Sequence, residues 1–305
     1  MSRLPTHGSS SAVRGGLVMS ASMVCFITND TFTKLLTHDI AIGQFIFLRG
    51  VFATTFMFCL VLAGGHFSSI PYAFDRRVLV RAALDLTATG LFIAALYHAP
   101  LPNLTAVLQA VPFTATLLAM LFLGERVSAP RLVAIAVGFT GVLLIVRPGT
   151  EGFNAWTLLA GGSMLCVALR ELVTRRIHLH IPTAVVAFST TILVTSGGLL
   201  WTLIEGFQPV GAKTTGMLVT AAAFLTLAQF LAVLALRVGT VSQTAPFRYT
   251  IIIWSLLSGW LVFGYVPDAV ALLGIVLIVA SGLYAMVKAQ REILSERRLA
   301  EAAEP

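Results

Sequence analysis

The stretches SMVCFITNDTFTK (residues 22–34) and SMLCVALRELVTR (residues 163–175) align without a gap at an offset of 141. Asp30 falls on Glu171, Thr33 on Thr174 and Lys34 on Arg175. Apolar matches come cheaply between hydrophobic helices, but an acid, a threonine and a base at fixed spacing do not. Each stretch lies in an apolar run of about 20 residues, the length that crosses a ~30 Å hydrocarbon core. The pattern reads as a duplicated membrane unit.

The rest of the chain has the same texture. Of its 305 residues, 57% are hydrophobic and 11% charged, where a soluble domain carries about 25% charged; the mean hydropathy is +0.92. Apolar runs and breakers together place spans near 14–37, 42–63, 77–97, 103–123, 131–147, 154–178, 183–203, 213–236, 241–263 and 269–289. The breaks carry stop signals, among them Gly64-Gly65, Pro100 to Pro102, Pro148-Gly149 and Pro267. The fourth and ninth spans align at an offset of 140, with Ala95 on Ala235, Leu96 on Leu236 and Gly124 on Gly264.

Two units of five spans cannot insert the same way up, because five is odd. The expected fold is an all-α membrane protein of ten transmembrane helices in two inverted five-helix repeats. Residues 1–13 form an N-terminal segment, 14–147 the first repeat, 154–289 the second and 290–305 a C-terminal tail. Inverted repeats suit secondary transport, with a substrate site near the midplane and alternating access by rocking.

The basic residues set the orientation. With a cytoplasmic N-terminus the inner side receives Arg3, Arg14, Arg76, Arg77, Arg81, Arg126, Arg131, Arg175, Arg176, Arg237, Lys288, Arg291, Arg297 and Arg298. The outer side receives Lys34, Arg147 and Lys213, and Arg49, Arg170 and Arg248 lie within spans. The positive-inside rule then predicts both termini in the cytoplasm. The net charge of +7 is thereby read as topology and not as a nucleic-acid footprint. Cys25, Cys59 and Cys166 sit in apolar runs without CxxC spacing, so no disulfide framework, metal or cofactor is expected. HExxH, Walker and GxSxG motifs are absent, which argues against an enzyme.

Ionisable groups inside spans are costly and face the bundle interior or water. Here they are Asp30, Arg49, Asp85, Arg170, Glu171 and Arg248, three acids and three bases. Asp30–Lys34 and Glu171–Arg175 have the favourable acid-first order at four residues. Both read either as local pairs near helix ends or as gates at opposite mouths of a path. Arg49 and Asp85 either pair structurally or line that path. Arg248 beside Tyr249 and Trp254, with Arg170 as a second candidate, suits a solute carrying a carboxylate and an aromatic ring. Asn29, Gln109 and Gln229 bring amides to membrane depth, for interhelical bonding or a pocket. Pro112 removes a backbone hydrogen bond and is expected to kink the fourth span beside the cavity. His178 and His180 form an HxH that reads as a solvated loop.

Residues 104–148, LTAVLQAVPFTATLLAMLFLGERVSAPRLVAIAVGFTGVLLIVRP, resemble the core of the drug/metabolite transporter superfamily in its EamA branch. The features that carry the resemblance are Pro112, LGER at 123–126, Gly138 and Gly141, with FLRG at 47–50 similar to the arginine-bearing second helix. In the second half Phe263-Gly264-Tyr265 keeps the glycine of that motif and loses the acid. Within the branch the chain is most similar to the YddG-type exporters. The resemblance implies an inner-membrane exporter of small amphipathic metabolites such as aromatic amino acids, a monomer or homodimer in the lipid bilayer. A facilitator is the first reading of its energetics and a proton-coupled antiporter the second; a channel or an intramembrane enzyme are the alternatives from other classes.

Overall fold

The computed structural model describes residues 8–124, 127–147, 154–174, 176–178, 180–238 and 244–303. Among them all regular structure is helical: α1 (Gly8–Leu35), α2 (Ile42–Ala63), α3 (Arg76–His98), α4 (Leu101–Leu108), α5 (Val111–Leu123), α6 (Ala129–Val146), α7 (Trp156–Thr174), α8 (Thr183–Glu205), α9 (Ala212–Val238), α10 (Thr250–Phe263) and α11 (Ala269–Ala303). Three short 3-10 turns join them at Leu36–His38, Phe67–Phe74 and Ala245–Tyr249.

Nine stretches of the described residues are long and apolar enough to cross a membrane, with α4 and α5 together forming one. Large apolar side chains such as Leu121, Leu203, Ile204 and Leu261 cover the outside of the bundle, which suits lipid as the solvent. Helix α1 is not among the nine found in the described residues. It is nonetheless part of the bundle: it lies along α9, where the Ser22 hydroxyl donates to the Ala228 carbonyl at 2.7 Å.

The other principal pairings are α2 with α8, α3 with α7, and α6 with α11. Helix α4 crosses α10; α5 meets α7 as α10 meets α1, and α3 meets α8 as α2 meets α9. If α1 to α6 are exchanged in order for α7 to α11, with α4 and α5 together as the counterpart of α10, this set of neighbours maps onto itself.

Two places depart from simple spans. The fourth span is two helices, broken at Gln109 and Ala110, with Pro112 in the first turn of α5. Proline offers no N–H to the preceding turn, so the expected kink becomes a break. The ninth span opens as a 3-10 turn containing Pro246 before α10 begins. Helix α11 runs on to Ala303, well beyond the apolar part of its span. The fourth and ninth spans both end on a left-handed glycine, Gly124 at φ 67° and Gly264 at φ 63°, the usual helix stop.

A close backbone crossing joins α6 to α11. A Cβ added at Gly141 would stand 2.6 Å from the Gly274 carbonyl oxygen, and one at Gly274 would stand 2.6 Å from the Gly141 oxygen. Small residues permit such approach where no hydrophobic effect drives helices together.

Candidate functional site: two polar clusters in the bundle

The Lys34 end of the bundle gathers the ends of α1, α3, α8 and α10 and the starts of α2 and α4. Here Gln44 is fully buried and exchanges two hydrogen bonds with the Gln208 backbone, at 2.6 and 3.1 Å, while the Gly43 amide donates to Glu205 at 2.8 Å. One and a half turns further in, Arg49 is only 8% exposed. Its guanidinium donates to Asn29 Oδ1 at 3.3 Å and lies 5.0 Å from the centre of the Phe45 ring, a cation over an aromatic face. Asn29, 2% exposed, donates in turn to Asp30 at 2.8 Å. The Arg49–Asn29–Asp30 relay ties α1 to α2. The next residue, Thr31, meets Ser258 of α10 at 2.6 Å.

The second cluster occupies the Arg81 end, between α3, α7 and α8. Asp85 accepts from Arg170 at 2.7 Å and lies 3.8 Å from Arg81. Arg81 also donates to Thr174 at 3.1 Å and to Thr190 at 2.5 Å. One carboxylate therefore faces two guanidiniums, and two threonine hydroxyls accept from Arg81. The side chains of Asp85 and Arg170 are 17% and 26% exposed. Asn29 and Arg49, shifted by 141 positions, become Arg170 and Thr190, so the two clusters occupy matched positions at opposite ends.

With this geometry in hand, comparison with known proteins is informative. The EamA-like transporter family matches residues 13–147. A riboflavin transporter of Vibrio cholerae is 30% identical across 73% of this chain and 75% of its own. The chain belongs to the EamA-like transporter family. A riboflavin transporter of Rhizobium johnstonii is 29% identical over 95% of both chains. A solved crystal structure superposes with a TM-score of 0.64 at 18% identity, covering 92% of this chain and 98% of its own, a likeness of fold. This EamA-like protein is thus a small-molecule transporter of the drug/metabolite superfamily, an integral inner-membrane protein and not an enzyme.

The remaining expected residues of this transporter fall in varied places. Lys34 turns away from Asp30: its ammonium donates to the carbonyls of Leu96 and, at 3.1 Å, Ala99, where α3 ends. Among the described residues no carboxylate lies within ion-pair distance of it. Glu171 is half-buried on α7, and its expected partner Arg175 lies outside the described residues, as do Glu125 and Arg126. Arg248 and Tyr249 do not share a face. Arg248 is exposed, whereas Tyr249 is buried with its hydroxyl packed on Gly282 of α11. Trp254 packs with Met19, Met23 and Phe247, and its buried indole N–H has no hydrogen-bond partner among the described residues. The Thr105 hydroxyl on α4 is in the same condition. Gln109 caps α4 through its backbone, Pro112 is exposed, and Gln229 is half-buried on α9. His178 approaches Arg77 at 3.2 Å and stacks on His180. Sequence reading missed Arg81, assigning it to topology alone; its spacing of four from Asp85 was the available signal.

Proposed function

We propose that this EamA-like transporter is a ten-span facilitator for small amphipathic metabolites with an aromatic body. On this reading α1 is the tenth span, the halves are inverted repeats, and both termini are cytoplasmic. The observation that carries the proposal is the pair of matched polar clusters, one toward each end of the bundle. In alternating access one end must close while the other opens, and clusters that tie α1 to α2 and α3 to α7 are suited to closing their respective ends. The self-mapping set of helix neighbours supports the inverted repeat, and the fourteen basic residues that the sequence assigns to the inner side support the orientation.

The solute is proposed from the polar groups that the bundle leaves without a partner among the described residues and from Arg49. The buried indole N–H of Trp254 and the Thr105 hydroxyl are groups that an acceptor-bearing guest would satisfy. Arg49 over Phe45 adds a cation and a ring. Riboflavin, named for two relatives, offers a flat ring system with several acceptors and is the first solute to test; an aromatic amino acid is the second, its carboxylate suited to Arg49 or Arg170. A facilitator moves solute down its gradient, so export follows when the solute is made inside.

The test is flux of labelled riboflavin, tryptophan, phenylalanine and threonine into proteoliposomes, with and without a pH gradient. Saturable flux that prefers the ring-bearing solutes and ignores the gradient is expected. Flux of none of the three ring-bearing solutes would overturn the substrate class, and gradient-driven accumulation would overturn facilitation.

A further inference from the structure

A cavity of about 240 Å³ opens at the Lys34 end, apart from both polar clusters. Its walls come from Lys34, the chain from His98 to Pro102, and Gly259, Phe263 and Tyr265. That volume is below the ~300–1,000 Å³ of sites for drug-sized ligands, so the guest is small. The site is where α3 stops and α4 starts, and two prolines keep the backbone from closing over it.

The lining is chemically one-sided. Lys34 is its cation, and among the described residues no carboxylate lines it. An ammonium has three N–H donors; the Leu96 and Ala99 carbonyls take two, fixing the nitrogen against the wall and leaving the third for a guest. Burial pushes the Tyr265 hydroxyl above its ordinary pKa, and the hydroxyl donates to Asn103 Oδ1 at 3.2 Å, so the ring stays neutral. Asp268, the nearest acid to Tyr265, is held by Arg147. Pro100, Leu101, Pro102 and Phe263 make the remaining surface apolar. His98 stacks on Trp156 at 3.8 Å, which steadies that wall.

We propose that this cavity is a docking site for a small amphipathic monocarboxylate, with the carboxylate on the Lys34 ammonium and the apolar body against Pro100, Pro102 and Phe263. It is a site at one end of the bundle, separate from the proposed path between the clusters. The proposal rests on the carrier reading only for its meaning in transport, and its test requires no flux.

The experiment uses the full-length protein in phosphatidylcholine nanodiscs and equilibrium dialysis of labelled indole-3-acetate and its neutral amide. The acid should bind about tenfold more tightly than the amide, as a charge-assisted bond requires. Lys34→Met should bring the two within about twofold, and Lys34→Arg should restore the preference. Phe263→Ala should weaken both ligands while keeping their ratio, which covers the case in which Lys34→Met does not fold. Equal binding of acid and amide, no binding of either, or a preference that survives Lys34→Met would each overturn the site. Intact acid binding together with absent flux would sink the proposed substrate class and leave this site standing.

Discussion

Removing the charge of Asp85 should damage the transporter more than removing that of Arg170, although they are partners in one ion pair. Asp85 lies 2.7 Å from Arg170 and 3.8 Å from Arg81. At an effective dielectric of about 20 the gross attractions are about 6 and about 4 kcal/mol, and desolvation cancels most of both. With side chains 17% and 26% exposed, the net effects belong between the ~0–1 kcal/mol of surface pairs and the ~3–5 kcal/mol of broken buried ones. Arg170→Gln leaves Asp85 paired with Arg81 and should cost about 1 kcal/mol. Asp85→Asn leaves two guanidiniums facing each other without an anion and should cost about 2 kcal/mol, a shift of about 30-fold in an equilibrium. In the double variant that repulsion is gone, so its cost should fall below the sum of the two by about 1 kcal/mol. The assay is thermal unfolding of purified protein, followed by monodispersity, with riboflavin or tryptophan flux measured on the same preparations. Equal costs for the two single variants, or strict additivity, would refute the account of one acid shared between two bases.

Two other outcomes follow from contacts elsewhere in the bundle. Gly141→Ala places a methyl 2.6 Å from a backbone oxygen that has no side chain to move, so α6 and α11 must separate; a loss of about 1–3 kcal/mol is expected in the same unfolding assay, and wild-type stability would show the crossing to be looser than described. The Asp268 carboxyl is held below its ordinary pKa first by the Ala271 amide and then by Arg147. Its stabilisation is therefore present above the ordinary carboxyl range and lost as pH falls through the lowered value, and Asp268→Asn should flatten that acid limb of a stability–pH profile, with the difference screened by salt.

The spans were legible because lipid demands long apolar runs and turns demand glycine and proline. The reading of 42–63 coincides with α2 (Ile42–Ala63), and that of 183–203 stops two residues short of the end of α8 (Thr183–Glu205). The fourth span was read as one helix from 103 to 123, since a single proline predicts a kink more readily than the break seen at Gln109. The polar clusters were legible as a list of residues and not as contacts. Asp85 and Arg170 are 85 positions apart, and no local rule couples them. Arg248 and Tyr249 show the reverse failure, being adjacent in sequence yet unlike in burial, one exposed and the other against Gly282. Helical spacing points Lys34 toward Asp30, whereas the unpaired carbonyls at the end of α3 lie within reach of its ammonium.

The Gly141–Gly274 crossing also has a mechanical meaning. Helices that interlock through large side chains resist turning against one another, because each knob must climb out of its hole. Here two bare backbones touch, with Ile145 and Ile278 set one turn to either side. Drawing the helices apart exposes that seam along its length, while scissoring them about the touching point disturbs little. The crossing of α6 and α11 is therefore stiffer to separation than to rotation about the touching point.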